Sequence, residues 1–175
     1  MRTAFLLVSH GSSDPRHQAA LARLAQGMQQ HLSRLSRETS QSAIANLNGH
    51  PHGATGETDI SGVTPKTWVE AAPLGSSPRI GRREPPLVGT ATLELSSVPL
   101  AQQIVEFAKI ALAQGIRQLV VLPLFLLEGI HVKEDLPQEL ATAKARLPTR
   151  LRLLCLPYLG GQPRFKQYVR DRLAK

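Results

Sequence analysis

The chain alternates short runs of consecutive apolar residues with amphipathic segments, and this alternation constrains the fold more than any other feature. A run that is apolar at nearly every position and bounded by turn residues is typical of a parallel strand buried on both faces. Four such runs occur, at Thr3–Ser9, Leu87–Leu93, Gln118–Phe125 and Arg150–Leu156. Hydrophobic residues make up 42% of the chain but aromatic residues only 4%, so aliphatic side chains must fill the core.

Each apolar run is followed by a segment with helical periodicity. Asp14-Pro15 predicts the start of the first helix, because Asp is a favoured N-cap and Pro a favoured first helical residue. The second helix is predicted to start between Ser97 and Pro99. The third is predicted from about Glu134 or Pro137 to Arg146, and the fourth from Gln162 to Leu173. This order predicts an α/β fold of three layers, with a four-stranded, doubly wound parallel sheet covered by helices on both faces.

Residues 1–175 are predicted to form a single module that contains a long insertion. From about Glu38 to Pro86 the periodicity stops, and the segment is rich in Ser, Gly, Thr, Pro and Asn. Structureless loops of this length are uncommon inside compact domains. We therefore expect residues 38–86 to be a disordered insertion between the first helix and the second strand.

The positive charge of the chain is concentrated near its end. The net charge is +8, and residues 144–175 account for all of it, with nine basic residues and one acid, Asp171. Such a segment is either a solvated basic face or a surface that attracts a polyanion. The low aromatic content argues against a stacking platform for nucleic acid, and we expect no nucleic-acid partner.

Cysteine usage and hydropathy favour a cytoplasmic protein. Cys155 is the single cysteine, so no disulfide can form within the chain, and its apolar neighbours predict a buried thiol. No apolar run reaches the ~18–20 residues of a membrane span, and the apolar start at Ala4–Val8 is too short for a signal-peptide core. We expect no membrane association.

Chemically active side chains follow the predicted strands. His10 follows the first strand, Glu94 the second, and His131 and then Asp135 the third. In open parallel sheets, ligands bind beyond the carboxyl ends of the strands, so these residues are expected at one edge. Imidazole and carboxylate groups suit a borderline divalent metal such as Co²⁺, Fe²⁺ or Ni²⁺, and histidine is also a proton acceptor near neutral pH.

Each of these residues also has an interpretation without chemistry. His10 could cap a turn in its Gly-Ser loop, Glu94 could be a helix-entry carboxylate favoured by the helix dipole, and His131 could be an ordinary residue at a helix N-terminus.

Motifs at these positions resemble a known family. The segment Phe5-Leu6-Leu7-Val8-Ser9-His10-Gly11-Ser12-Ser13-Asp14-Pro15-Arg16 resembles the first motif of the sirohydrochlorin chelatases, the small class II chelatases of the cobalamin and siroheme pathways. Leu93-Glu94, followed by Pro99, resembles their second motif. The third is matched by residues 123–137, with Gly129, His131 and Asp135-Leu136-Pro137, and the closing turn by Tyr158-Leu159-Gly160. The match covers residues 1–36 and 87–175.

The resemblance implies a chelatase-like, flavodoxin-like fold and a set of site residues. His10, Glu94 and His131 would be catalytic and would bind the metal, while Gly11, Ser12, Ser13, Leu126 and Gly129 would contact a sirohydrochlorin-type polycarboxylate tetrapyrrole. The metal would be a substrate, with no permanently bound cofactor. Short members of the family pair as homodimers, so we expect a dimer. The insertion at 38–86 departs from the family pattern.

The implied reaction replaces two pyrrole protons with a divalent ion, Co²⁺ foremost and Fe²⁺ or Ni²⁺ otherwise, in cobalamin or siroheme biosynthesis. No Gly-rich loop ending in Lys-Ser/Thr is present, so we expect no requirement for ATP. The alternative is a non-catalytic carrier of metal or tetrapyrrole on the same fold. A basic nucleic-acid binder is a weaker alternative that only the isoelectric point favours.

Overall fold

The computed structural model describes the backbone of residues 2–47 and 85–174, and the side chains of residues 2–38 and 85–174. Its elements follow in the order β1 (Thr3–Ser9), α1 (Pro15–Leu47), β2 (Leu87–Thr92), α2 (Leu100–Ala113), β3 (Gln118–Pro123), α3 (Leu136–Arg146), β4 (Arg152–Cys155) and α4 (Pro163–Leu173). A π-helical turn, His131–Asp135, precedes α3, and a 3₁₀ turn, Leu159–Gly161, precedes α4.

The four strands form one parallel sheet in the order β2-β1-β3-β4. Ser9 pairs with Thr92, and Val8 pairs with Pro123, so β1, β2 and β3 end side by side. The predicted α/β class and parallel sheet are therefore confirmed.

Successive residues of β1 point to opposite faces of the sheet. Leu6 and Val8 are almost completely buried in a cluster with residues of α2 and α3, whereas Leu7 packs against Leu21 and Ala25 of α1. Helices therefore cover both faces, as predicted. Burial of each large aliphatic side chain contributes ~1.5–3 kcal/mol, so this double coverage makes β1 the centre of the core.

The predicted N-cap of α1 is confirmed. Oδ1 of Asp14 accepts a hydrogen bond from the backbone N–H of Arg16 at 2.8 Å, and its carboxylate also binds the Arg16 guanidinium at 2.6 Å. The Arg16 hydrogen bonds hold the pKa of Asp14 below its ordinary value. The helix thus begins at the residue that the Asp-Pro pair indicates.

The expectation of disorder is wrong for the first ten residues of the predicted insertion, residues 38–47. Helix α1 continues to Leu47, whereas the loss of the apolar stripe predicted irregular structure from Glu38. Residues 38–47 contain neither Gly nor Pro, and the first helix breaker is Gly49, so the helix can continue without a periodic apolar face. The remaining part of the predicted disordered insertion, residues 48–84, lies outside the described residues.

The contacts divide the chain into one unit of residues 1–34 and 85–175, which contains the sheet, and a second unit of residues 35–84. In the described ranges, no helix combines the length and the apolar character needed to cross a membrane.

The prediction of a buried thiol is wrong, because Cys155 is exposed. It lies on β4, which among the described strands pairs with β3 alone and is therefore an edge strand. The thiol is still partly desolvated, which raises the pKa of Cys155.

Candidate metal centre

The three histidine and carboxylate residues expected at the sheet edge meet there. One ligand atom each from His10, Glu94 and His131 lies within 4.8 Å of the others. Nε2 of His10 is 3.7 Å from Oε2 of Glu94, and Nδ1 of His131 is 3.2 Å from Oε1 of the same carboxylate. Glu94 therefore bridges the two imidazoles.

The two imidazoles are arranged to share one small cation. Their Nε2 atoms are 3.1 Å apart, and the rings are nearly perpendicular, at 87°. Two nitrogens bound to one ion at about 2.1 Å lie roughly 3.0–3.4 Å apart between octahedral and tetrahedral angles. Without an ion, the same separation allows one N–H···N hydrogen bond. The pair can thus hold either a proton or a metal ion.

The site opens to solvent. The side chains of His10, Glu94 and His131 are 47%, 44% and 30% exposed. Large apolar side chains in the two segments that carry Glu94 and His131 are exposed as well: Leu95 at 68%, Leu127 at 83% and Ile130 at 58%. An open cluster with apolar neighbours suits a large ligand with an apolar face better than a buried structural ion.

Hydrogen bonds from the following helix, α2, hold the loop that carries Glu94. The Gln103 amide of α2 accepts a hydrogen bond from the N–H of Thr92 at 3.0 Å and donates to the carbonyls of Thr92 and Val98 at 2.9 and 2.8 Å. Leu95 has a φ of +55°, which is unusual for a residue other than glycine. Strained backbone of this kind is often found at functional sites, where surrounding contacts maintain it.

Gly11 makes the close approach of the first two loops feasible. The ladder between β1 and β2 continues beyond the strands, with Glu94 N–H donating to the His10 carbonyl at 2.8 Å. Gly11 has a φ of +112°, and a Cβ built there would lie 2.1 Å from the Glu94 carbonyl oxygen. Glycine is required here so that His10 and Glu94 can lie side by side.

A π-helical turn carries His131, and the sequence explains its location. The N–H of Leu136 bonds to the His131 carbonyl, five residues back. Pro137 has no N–H to donate to the Lys133 carbonyl, and its ring would crowd that carbonyl in an α-helix. Single π-helical turns of this kind are frequent at functional sites.

The sequence predicted Asp135 at the same edge but gave it no role in the site. Its Oδ2 lies 2.8 Å from Nδ1 of His131, and this contact has hydrogen-bond geometry. The spacing of four residues between His131 and Asp135 in a helical segment was the available signal, since such residues share a helix face.

The predicted substrate-contacting residues have distinct surroundings. The Oγ of Ser12 accepts a hydrogen bond from the Asp14 N–H at 3.1 Å, whereas Ser13 is exposed. Leu126 is 59% exposed, and Gly129 has open space where a Cβ would be. Their contact with a substrate, like that of Gly11, stays a prediction.

The comparisons with known proteins agree with these motifs. The model of the CbiX family matches residues 71–175, which is 105 of the 175 residues. The chain belongs to the CbiX family. This confirms the resemblance to the class II chelatases. The matched segment includes Glu94 and His131 but not His10. The fold brings His10, which directly follows β1, next to these two residues.

Several solved structures share this fold. A CbiX protein of Marinobacter aquaeolei VT8 assigned to cobalamin (vitamin B12) biosynthesis aligns with a TM-score of 0.52 and 21% identity, over 98% of this chain and 94% of that one. SirB from Bacillus subtilis with Fe³⁺ aligns with a TM-score of 0.55 and 19% identity, over 98% of this chain and 46% of that one.

A third structure is the sirohydrochlorin chelatase SirB from Bacillus subtilis subspecies spizizenii in complex with cobalt. It aligns with a TM-score of 0.55 and 21% identity, over 99% of this chain and 50% of its own. The chain thus spans about half the length of the SirB proteins. No curated protein sequence matches this CbiX-family chain.

Proposed function

We propose that this protein is a sirohydrochlorin chelatase, which inserts a divalent metal into the tetrapyrrole with release of two protons and without ATP. The observation that carries the proposal is the cluster of His10, Glu94 and His131 at an open sheet edge. Co²⁺ is the foremost metal, and Fe²⁺ or Ni²⁺ are the alternatives, because all three accept this ligand set. The proposal includes a place in cobalamin or siroheme biosynthesis.

The cluster would hold the metal while the macrocycle approaches from the solvent side. Glu94 supplies negative charge, and in the described part of the chain no Lys or Arg forms an ion pair with it. As pyrrole nitrogens replace the protein ligands, the freed imidazole nitrogens can accept the pyrrole protons. The net change is one divalent ion bound by the macrocycle and two protons released.

Exposed apolar side chains and basic side chains match the two parts of such a substrate. Leu95, Leu127 and Ile130 can contact the ring face, with Gly11, Ser12, Ser13, Leu126 and Gly129 along the same edge. No α4 residue is buried, and among the described residues no acid pairs with Arg164, Lys166, Arg170 or Arg172. These cations can attract the substrate carboxylates.

The test is a spectroscopic assay of sirohydrochlorin with Co²⁺, Fe²⁺ and Ni²⁺ in turn. We expect His10→Ala to abolish insertion and His31→Ala, an exposed histidine on α1, to leave it unchanged. Near-normal turnover by His10→Ala would contradict the proposal. Metal binding without any acceleration of product formation would favour the alternative, a non-catalytic metal or tetrapyrrole carrier.

Salt dependence tests the role of the basic helix. If the α4 cations attract the substrate, its KM should rise with ionic strength, and Arg164→Gln/Lys166→Gln should raise KM at low salt and flatten this dependence. A KM that does not respond to salt would identify the basic residues as an ordinary solvated face.

We also propose that the protein works as a homodimer. The proposal is supported by the edge strand β4 of the described sheet, where Cys155 and the following residue, Leu156, are exposed. Light scattering on the active protein tests it, and a fully active monomer would contradict it.

A further inference from the structure

Asp135 makes a contact that the proposed reaction does not require directly. Its carboxylate is not among the three candidate metal ligands, yet it lies 2.8 Å from Nδ1 of His131. We propose that Asp135 is a positioning residue: it accepts the Nδ1–H of His131 and thereby keeps the Nε2 lone pair directed at the metal. The expected effect on turnover rests on the proposed function, whereas the role of Asp135 in orienting His131 does not.

The Asp135 carboxylate has no competing structural task in the described residues. Asp135 precedes α3 with helical backbone angles, and its side chain makes no capping hydrogen bond. It forms no ion pair with a lysine or arginine there; the nearby Lys133 lies 3.9 Å from Glu128 instead. The hydrogen bond to His131 is therefore the contact that this side chain makes.

Asp135 also determines which nitrogen of His131 faces the cluster. A neutral imidazole carries one N–H and one lone pair, and the partner of one nitrogen decides the state of the other. With the proton on Nδ1, the lone pair is on Nε2, which is 3.1 Å from Nε2 of His10. In the metal-free molecule, His10 then donates the N–H between the rings, and this proton must pass to Nδ1 of His10 before its Nε2 can bind a metal.

The same contact leaves Glu94 available to the metal. Oε1 of Glu94 is also near Nδ1 of His131, but at 3.2 Å and without hydrogen-bond geometry. If Glu94 were the acceptor of this N–H, it would be occupied in orienting a histidine. Because Asp135 takes the N–H, both oxygens of Glu94 can turn toward an ion. Carboxylates that orient a metal-binding histidine typically change metal affinity 10–100-fold.

The first experiment reads the tautomer directly. Nitrogen NMR of the metal-free protein at alkaline pH, where imidazoles are neutral, should show His131 protonated at Nδ1. Asp135→Ala should lose this preference, and Asp135→Asn, which keeps an acceptor oxygen, should retain part of it. Protonation of His131 at Nε2 in the unmodified protein would overturn the proposal, whether or not the protein is a chelatase.

The second experiment measures Co²⁺ affinity by titration. Asp135→Ala should raise the Kd about 10–100-fold, Asp135→Asn should raise it less, and Glu134→Ala should leave it unchanged. Glu134→Ala is the matched control, because this substitution removes the same charge from the same π-helical turn, at a residue outside the cluster. Equal affinities for Asp135→Ala and Glu134→Ala would refute the proposal.

Should Asp135→Ala fail to fold, the asparagine variant and the tautomer of the unmodified protein still decide the question. If no metal is inserted by the unmodified protein although the tautomer and the affinities are as expected, the proposed function fails and the role of Asp135 stands.

Discussion

Replacing Gly11 with alanine should both destabilise the protein and displace a metal ligand. A Cβ at this position would lie 2.1 Å from the Glu94 carbonyl oxygen, whereas real Cβ atoms essentially never approach closer than 3.0 Å. The two loops must therefore separate by about 1 Å or more, as follows from the geometry of a packed contact. The backbone of Glu94 is the part that has to move.

The expected loss of stability has two parts. Forcing a side chain onto a φ of +112° costs about 1–3 kcal/mol, and crowding a packed contact costs a further ~1–3 kcal/mol. Gly115→Ala is the matched control, because Gly115 has a φ of +72° but open space around its Cβ position. The control should lose only about 1–2 kcal/mol.

Urea unfolding and metal titration together test this reasoning. Gly11→Ala should have a lower free energy of unfolding than Gly115→Ala. It should also bind Co²⁺ more weakly and turn over about 100-fold more slowly, since a misplacement of 1 Å can have that effect. If Gly11→Ala matches Gly115→Ala in stability and the unmodified protein in Co²⁺ affinity, the contact with Glu94 does not determine the site.

Three further substitutions test other elements. Asp14→Ala should lower the midpoint of urea unfolding at neutral pH. Because the folded pKa of Asp14 is depressed below its ordinary 3.8, this difference should disappear as the pH falls through the folded pKa; a difference that persists at lower pH would contradict the N-cap role. Gly160→Ala should lower the free energy of unfolding in urea by about 1–3 kcal/mol, because the added Cβ would lie 1.7 Å from the Leu126 carbonyl oxygen. Unchanged stability would disprove this contact. Gly27→Ala, in a helix with open space around the Cβ, should instead stabilise the protein by about 0.4–1 kcal/mol, and a loss of stability would reveal an unseen steric conflict.

Local residue chemistry explains what could be predicted. The apolar runs place β1 correctly to the residue, and the Asp14-Pro15 pair marks the start of α1, because strands and caps depend on neighbouring residues. The helix end at Leu47 could not be read in this way, since the apolar stripe ends well before the helix does. Amphipathic periodicity reports packing against a core and does not report helix continuation.

The positions of the site residues follow from a general rule, but their partners do not. Parallel strands end at one edge, and this places His10, Glu94 and His131 together before any coordinates are known. The choice of Asp135 over Glu94 as acceptor for His131 depends on differences of a few tenths of an ångström. Such differences arise from the π-helical turn and the Glu94 loop, which pack against each other only in the folded chain.

The sequence by itself thus determined the α/β class, the order of the elements and the identity of the three clustered residues, because these depend on periodicity and on residue chemistry. Only the tertiary structure decided that β4 leaves Cys155 exposed, that Gly11 is required by the Glu94 carbonyl, and that the Asp135 carboxylate lies within hydrogen-bonding distance of His131. Each of these depends on which segments meet in space, over separations of up to 121 residues between His10 and His131.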